Sequence, residues 1–268
     1  MNDLIYNKTL EIGSSLVNKA KVIFPDPFDD NKQYHESCVA EAPLDGLYLE
    51  FGVHRGRSIG HIAPCTTNIV YGFDSFEGIP EEWCIHGSQA SLPQHAFSLK
   101  GQIPQGMIKG KDQSTKPEYD SSLTRSTEPW PENVELIKGW FDETLSSFVC
   151  RPEIIPHKVA FLHIDCDLYS STQTIFKFLG DKITEDTVIA FDEIYGYNGF
   201  HEHEAKAFAE FLIEHKWNYE PLIRVQGADN TPFRYGMTQG CFRIKKDSTS
   251  ATGNTQNLID YTILSNQR

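Results

Sequence analysis

Short runs of consecutive apolar residues alternate along the chain with longer stretches in which apolar residues recur every three or four positions. The short runs are Leu47–Val53, Ile69–Asp74, Val134–Lys138, Val159–Asp165 and Thr187–Asp192. Their β-branched and aromatic content predicts strands. VAFLHI and TVIAF have no polar alternation, as expected of parallel strands covered on both faces. Helical spacing appears in Ser170–Gly180, which brings Ile175, Phe176 and Leu179 to one side. It appears again in His201–Lys216, which gathers Ala205, Phe208, Ala209 and Leu212. Strand–helix–strand alternation predicts an α/β fold, a doubly wound, mostly parallel sheet with helices on both faces. Trp217–Val225 and Gly240–Ile244 read as two further strands closing one edge as a hairpin.

Two regions break this rhythm. Residues 1–45 read as an N-terminal helical segment, a helix over about Asp3–Phe24 and then a Pro- and Asp-rich connector. Residues 79–133 carry Pro80, Pro93, Pro104, Pro117, Pro129 and Pro131 among many Ser, Gly and Gln. An insertion of that length is either a lid over a site or decoration. The expected organisation is a main domain over 46–245 and a loosely held polar tail over 246–268.

Charge narrows the function. Lys and Arg number 24 against 37 Asp and Glu, a formal net charge of −13. Phosphate backbones and anionic membranes both select basic surfaces, so neither nucleic acid nor a membrane is the expected partner. The first residues, MNDLIYNKTLEIG, do not resemble a signal peptide, and no run reaches the ~18 apolar residues of a span. Cys38, Cys65, Cys84, Cys150, Cys166 and Cys241 are scattered without a C-x-x-C pair. That usage predicts reduced thiols in a cytoplasmic protein. The amphipathic N-terminal segment leaves a homodimer open.

The first strand enters a turn reading Glu50-Phe51-Gly52-Val53-His54-Arg55-Gly56-Arg57-Ser58. Its spacing is Gly-x-x-x-Gly, whereas a pyrophosphate is cradled by Gly-x-Gly-x-x-Gly. A nucleoside cofactor with an amino-acid tail suits this turn better than a dinucleotide. Asp74 ends the next strand, where a carboxylate can accept from both ribose hydroxyls. Helix packing alone also explains two such glycines. Asp165 ends the fourth strand, and Asp192 with Glu193 ends the fifth. Neighbouring strand ends lie about 4.8 Å apart, so these carboxylates can converge on one hard cation. The alternative is that they are solvated or cap the helices that follow. Asp167 and Tyr169 can face a substrate, although Asp167 can equally cap the next helix. His163 reads as a buried, hydrogen-bonded histidine, and His201 and His203, in HEHE, as a solvated helix end. Tyr195, Tyr197 and Phe200 can stack on an acceptor or simply pack a loop.

LYLEFGVHRGRSI, VYGFDSFEGIP, NVELIKGWFDETL, VAFLHIDCDLYSST and VIAFDEIYGY resemble successive motifs of class I S-adenosylmethionine-dependent methyltransferases. The resemblance is to the macrocin O-methyltransferase-like family, which acts on sugar hydroxyls of natural products, and it covers about residues 46–215. It implies a seven-stranded Rossmann-like sheet, S-adenosylmethionine as donor and a divalent metal, magnesium, as cofactor. It implies that Glu50, Gly52 and Gly56 line the methionine end, that Ser58 meets its carboxylate and that Asp74 takes the ribose. Gly139, Trp140 and Phe141 fall where the adenine lies, and Asp165, Asp192 and Glu193 fall at the metal ligands. Residues 81–133 do not align with the family's lid.

The expected function is therefore methyl transfer to a hydroxyl of a small-molecule acceptor, with Asp165 or Asp167 taking the proton. The rivals are a nicotinamide-dependent oxidoreductase, a metal-dependent hydrolase using the same acids, and a non-catalytic cofactor-binding module. The identity of the acceptor is not written in the sequence.

Overall fold

The computed structural model describes residues 2–24, 31–84, 91–108, 127–226 and 238–247. An eight-stranded sheet forms its centre. The strands are β1 (Lys21–Ile23), β2 (Leu47–Phe51), β3 (Val70–Asp74), β4 (Val134–Lys138), β5 (Val159–Ile164), β6 (Val188–Phe191), β7 (Trp217–Val225) and β8 (Gly240–Lys246). The helices are α1 (Asp3–Lys19), α2 (Lys32–Ala40), α3 (Arg57–Ile62), α4 (Phe141–Phe148), α5 (Tyr169–Leu179) and α6 (Glu204–His215).

Across the sheet the order is β1-β7-β8-β6-β5-β2-β3-β4, and only β8 runs antiparallel to its neighbours. From β2 the chain winds outward through β3 to β4. It then crosses back to β5 on the other side of β2. That reversal between β2 and β5 leaves a crevice beyond their carboxyl ends, where open α/β sheets bind ligands.

The apolar pattern accounts for the layers. In β6, Ile189 and Phe191 pack into one cluster with Leu145, Phe148, Ile175, Phe208 and Leu212. Val188 and Ala190 pack into the other with Tyr34, Cys38, Ile59 and Ile62. Successive strand residues point to opposite faces, so a run apolar throughout must be covered on both.

Two expectations are corrected. The first helix ends at Lys19, not near Phe24, and residues 21–23 add an eighth strand parallel to β7. Val22 and Ile23 are β-branched and meet an open sheet edge, and that pairing outweighs continued helix. The stretch read as a connector contains α2, which buries Tyr34, His35, Cys38 and Val39. Asn31 starts α2 in a left-handed conformation without a side-chain cap, so the usual start signal is missing.

In the 79–133 insertion, Trp83–Cys84 pairs with Ser91–Leu92, and Met107–Ile108 with Thr127–Glu128. The remainder of the expected lid, 85–90 and 109–126, lies outside the described residues, as does the expected tail from 248 onward. Among the described residues no helix is long and apolar enough to cross a membrane. All six cysteines are free thiols.

Candidate active site

A cleft of about 700 Å³ opens beyond the carboxyl ends of β2, β3, β5 and β6. Asp74, Trp140 and Phe141 line it beyond β3 and β4, Asp165, Asp167, Asp192 and Glu193 beyond β5 and β6, and Gly52 lies between the two groups. Trp83, Gln94 and Phe97 of the insertion also line it.

Gly52 has φ +94°, and a Cβ there would lie 1.7 Å from the Asp165 carbonyl oxygen. The crossing of the two strand ends therefore demands glycine, whatever binds in front of it. Asp74 accepts from the backbone N–H groups of His54 and Phe76, each at 2.6 Å. Burial raises its carboxyl above the usual range, and those amide bonds pull it partly back. Trp140 precedes α4, and Phe141 packs edge-on against Phe51 at 5.1 Å between ring centres.

Four other sequence-predicted residues are not on the cleft wall: Glu50, Gly56, Ser58 and Gly139. Glu50 is fully buried, and its Oε1 accepts from the Ser58 hydroxyl at 2.8 Å. Gly56, at φ +80°, lies under the Trp130 ring, which a Cβ would meet at 2.3 Å. His163 is also fully buried. Its Nδ1 lies 3.6 Å from Glu50 Oε2, and neither ring nitrogen makes a hydrogen bond.

Beyond β5 and β6, Asp165, Asp192 and Glu193 each present a carboxylate oxygen, and these oxygens lie within 4.8 Å of one another. Asp192 and Glu193 are consecutive, so on an extended strand they would face opposite sides. β6 stops at Phe191 and the chain bends from Asp192 onward, which lets both turn to the cleft. Thr238 and Gln239 fix that bend: the Thr238 hydroxyl donates to the Asp192 carbonyl at 2.8 Å and the Gln239 amide donates to its carboxylate.

Asp167 has φ +65° and lies on the cleft wall. Leu168 occupies the N-cap of α5 and no side chain caps that helix, so Asp167 is not spent on capping. Its left-handed backbone is a strained conformation of the kind held at functional sites.

The acids repel one another. Burial first, then Asp192, pushes Asp167 up to about 7. Burial and the neighbouring Asp192 and Asp167 push Asp165 and Glu193 well above the carboxylate range. These groups touch the cleft yet sit deep in the protein, where an unpaired ion costs on the order of several kcal/mol. Glu193 Oε2 is buried without a hydrogen-bond partner. A divalent cation would meet both needs by pairing the charges and taking that free oxygen.

A pH dependence follows from the same shifts. Raised carboxyls favour folding while protonated, and that contribution fades as pH rises through their folded-state values. His35 works oppositely, because burial lowers it, but only below its unfolded value near 6.5. Without metal, the unfolding free energy should therefore fall between about pH 6.5 and 8, by ~1.4 kcal/mol per pH unit for each retained proton, and the thermal midpoint with it. Thermal melts with and without magnesium check this. A flat metal-free midpoint would mean that the acids titrate normally.

Sequence reasoning missed Trp83, His203, Glu204 and Gln239. The second half of HEHE is not solvated, although Glu202 is exposed: His203 is 8% exposed and accepts from Trp83 Nε1 at 2.9 Å, and Glu204 is fully buried. Of the three aromatics that follow the acidic pair, Tyr195 donates to the Val225 carbonyl and Phe200 packs on Gly13 of α1. Tyr197 packs beside His203 at 5.8 Å between ring centres.

A Rossmann-like sheet with a carboxylate at the end of β3 and an acid cluster at its switch point has the architecture of a class I methyltransferase. The family profile described as "Macrocin-O-methyltransferase (TylF)" matches residues 29–235, and the chain belongs to that family. It is an S-adenosylmethionine-dependent O-methyltransferase, which sets aside the oxidoreductase and hydrolase readings. Among solved structures, the calicheamicin methyltransferase CalS11 is similar at 18% identity and a TM-score of 0.51, covering 88% of this chain and 91% of that one. The O-methyltransferase NovP shares 18% identity over 80% of this chain and 79% of its own, with a TM-score of 0.46. An O-methyltransferase from Bacillus cereus, solved with S-adenosylhomocysteine, shares 14% over 92% of each chain, with a TM-score of 0.45. The CalS11 likeness is one of fold. Against curated protein sequences the chain has no significant match.

Proposed function

We propose that this enzyme methylates a sugar hydroxyl of a natural-product glycoside with help from a magnesium ion held by Asp165, Asp192 and Glu193. One observation carries the reading: three carboxylate oxygens converge within 4.8 Å in a cleft that Asp74, Trp140 and Phe141 also line. The cleft volume suits a nucleoside donor and a small acceptor together. The family name supports the sugar, since its members act on hydroxyls of that kind.

In this reading Asp74 accepts from the ribose hydroxyls, and the Trp140 and Phe141 rings flank the adenine beside Gly139. The Gly52 backbone faces the methionine end. Glu50 and Ser58 brace the turn from behind, and Gly56 lets Trp130 close over it. A cation held by Asp165, Asp192 and Glu193 would make an acceptor hydroxyl more acidic. Asp167, next to that position and unspent on capping, takes the proton, while Asp165 serves the cation. The sulfonium is already activated, so orientation and charge placement are the protein's main contributions.

The donor end is tested by Asp74→Ala. Loss of the charge-assisted ribose contact should weaken S-adenosylmethionine by about 1–3 kcal/mol in calorimetry. Asp74 also holds the His54 and Phe76 amides. Asp74→Asn, which keeps an acceptor for one of them, should fall between that variant and the wild type. Unchanged affinity in both removes Asp74 from the donor site. The acceptor end is tested by methyl transfer to glycosides bearing adjacent hydroxyls, with and without chelator.

A further inference from the structure

Glu204 opens α6 and is fully buried. Its Oε1 accepts from the backbone N–H of Cys166 at 3.4 Å and faces the Cys166 thiol at 3.8 Å. The Glu193 main chain also lies close enough to this carboxylate to favour its ionised form. Cys166 directly follows Asp165, and Glu193 directly follows Asp192. A single side chain thus ties together the two turns that carry the three converging acids. Those turns leave separate strands, β5 and β6, and the sheet hydrogen bonds stop before them, at Ile164 and Phe191.

Stability does not explain why a carboxylate stands here. Oε2 has no hydrogen-bond partner, and the charge that acts most strongly on the carboxylate is another acid, Asp167. A buried acid with a free oxygen among four others opposes folding. Its two main-chain contacts instead fix the backbone at the site. Groups that orient metal ligands from behind characteristically sit in this way.

We infer that Glu204 is a positioning residue for the cation site, holding the 165–166 and 192–193 main chain so that Asp165, Asp192 and Glu193 converge. This rests on the proposed cation reading. The role requires reach and an acceptor oxygen rather than charge, and two conservative variants separate these. Glu204→Gln keeps length and an acceptor oxygen, whereas Glu204→Asp keeps the charge and is one methylene too short for both contacts.

The test is titration of Mn²⁺ alone into the full chain, read by the electron paramagnetic resonance of free manganese, with S-adenosylmethionine affinity measured in parallel. Glu204→Asp should bind Mn²⁺ roughly 10–100-fold more weakly. Glu204→Gln should bind close to wild type, with a metal-free melting temperature at or above it. Donor affinity should be unchanged in both. The inference is overturned if the Asp variant binds manganese as the wild type does, or if the Gln variant loses as much as the Asp variant. No manganese binding by the wild-type chain would overturn the cation site itself, and this role with it.

Discussion

Asp165→Asn should reduce methyl transfer by about a thousandfold or more while leaving donor affinity intact. The estimate follows from the several kcal/mol that a bound cation contributes to stabilising developing charge, at 1.36 kcal/mol per tenfold. An amide is a poorer ligand for a hard cation and cannot act as a base. The Asp165 atoms closest to Gly52 are main-chain atoms, so the substitution should leave that crossing undisturbed. Excess chelator should reproduce the loss in the wild type, and magnesium should restore activity there but not in the variant. Donor binding should survive because Asp74, Trp140 and Phe141 stand beyond β3 and β4, away from the β5 and β6 ends that carry the acids. The measurements are turnover and S-adenosylmethionine calorimetry on the same samples. Full activity in chelator would remove the cation from the mechanism and leave the O-methyltransferase assignment standing on its family.

The second large effect is expected from Asp167→Asn. Asparagine tolerates φ +65° nearly as well as aspartate and has the same shape, so the fold and the strained turn should persist. What disappears is the base, and kcat should fall by about 10²–10⁴-fold with donor and manganese affinity retained. The acid limb of the wild-type rate profile should lie at or below about 7, the value to which burial and Asp192 push this carboxyl without a cation. A bound cation draws that limb lower by favouring the ionised form. The variant should lose this limb. If its kcat is unchanged, Asp167 is not the base, and Asp165 must combine the two roles.

How much of this was readable in advance varies by element. β6 was plain, because VIAF is apolar at every position and only a strand covered on both faces requires that. The acids at 165 and 192 were readable as strand-end residues, since strand-end position follows from where an apolar run stops. The Asn-initiated α2 was not readable, because its start lacks a side-chain cap and its buried face is short. β1 was misread because three residues at the end of a helical pattern become a strand only when another strand, β7, lies alongside. HEHE was misread for a similar reason. Charged and imidazole side chains in a row normally mean solvent, and here the partners of His203 and Glu204 are Trp83 and Cys166, 120 and 38 residues away.

By itself, then, the sequence determined the layered α/β sheet, the polarity of its strand ends and the absence of a pyrophosphate turn. Each of these depends on residue order within a few positions, through periodicity and backbone preference. The tertiary structure alone decided which acids share a site, which way Asp192 and Glu193 turn, and what stands behind them. Gln239 and Thr238 reach Asp192 from 47 and 46 residues away. Glu204 joins two turns that meet only because β5 and β6 pair. Contacts between distant segments leave no local pattern, since their geometry exists only once the sheet has brought the strand ends together.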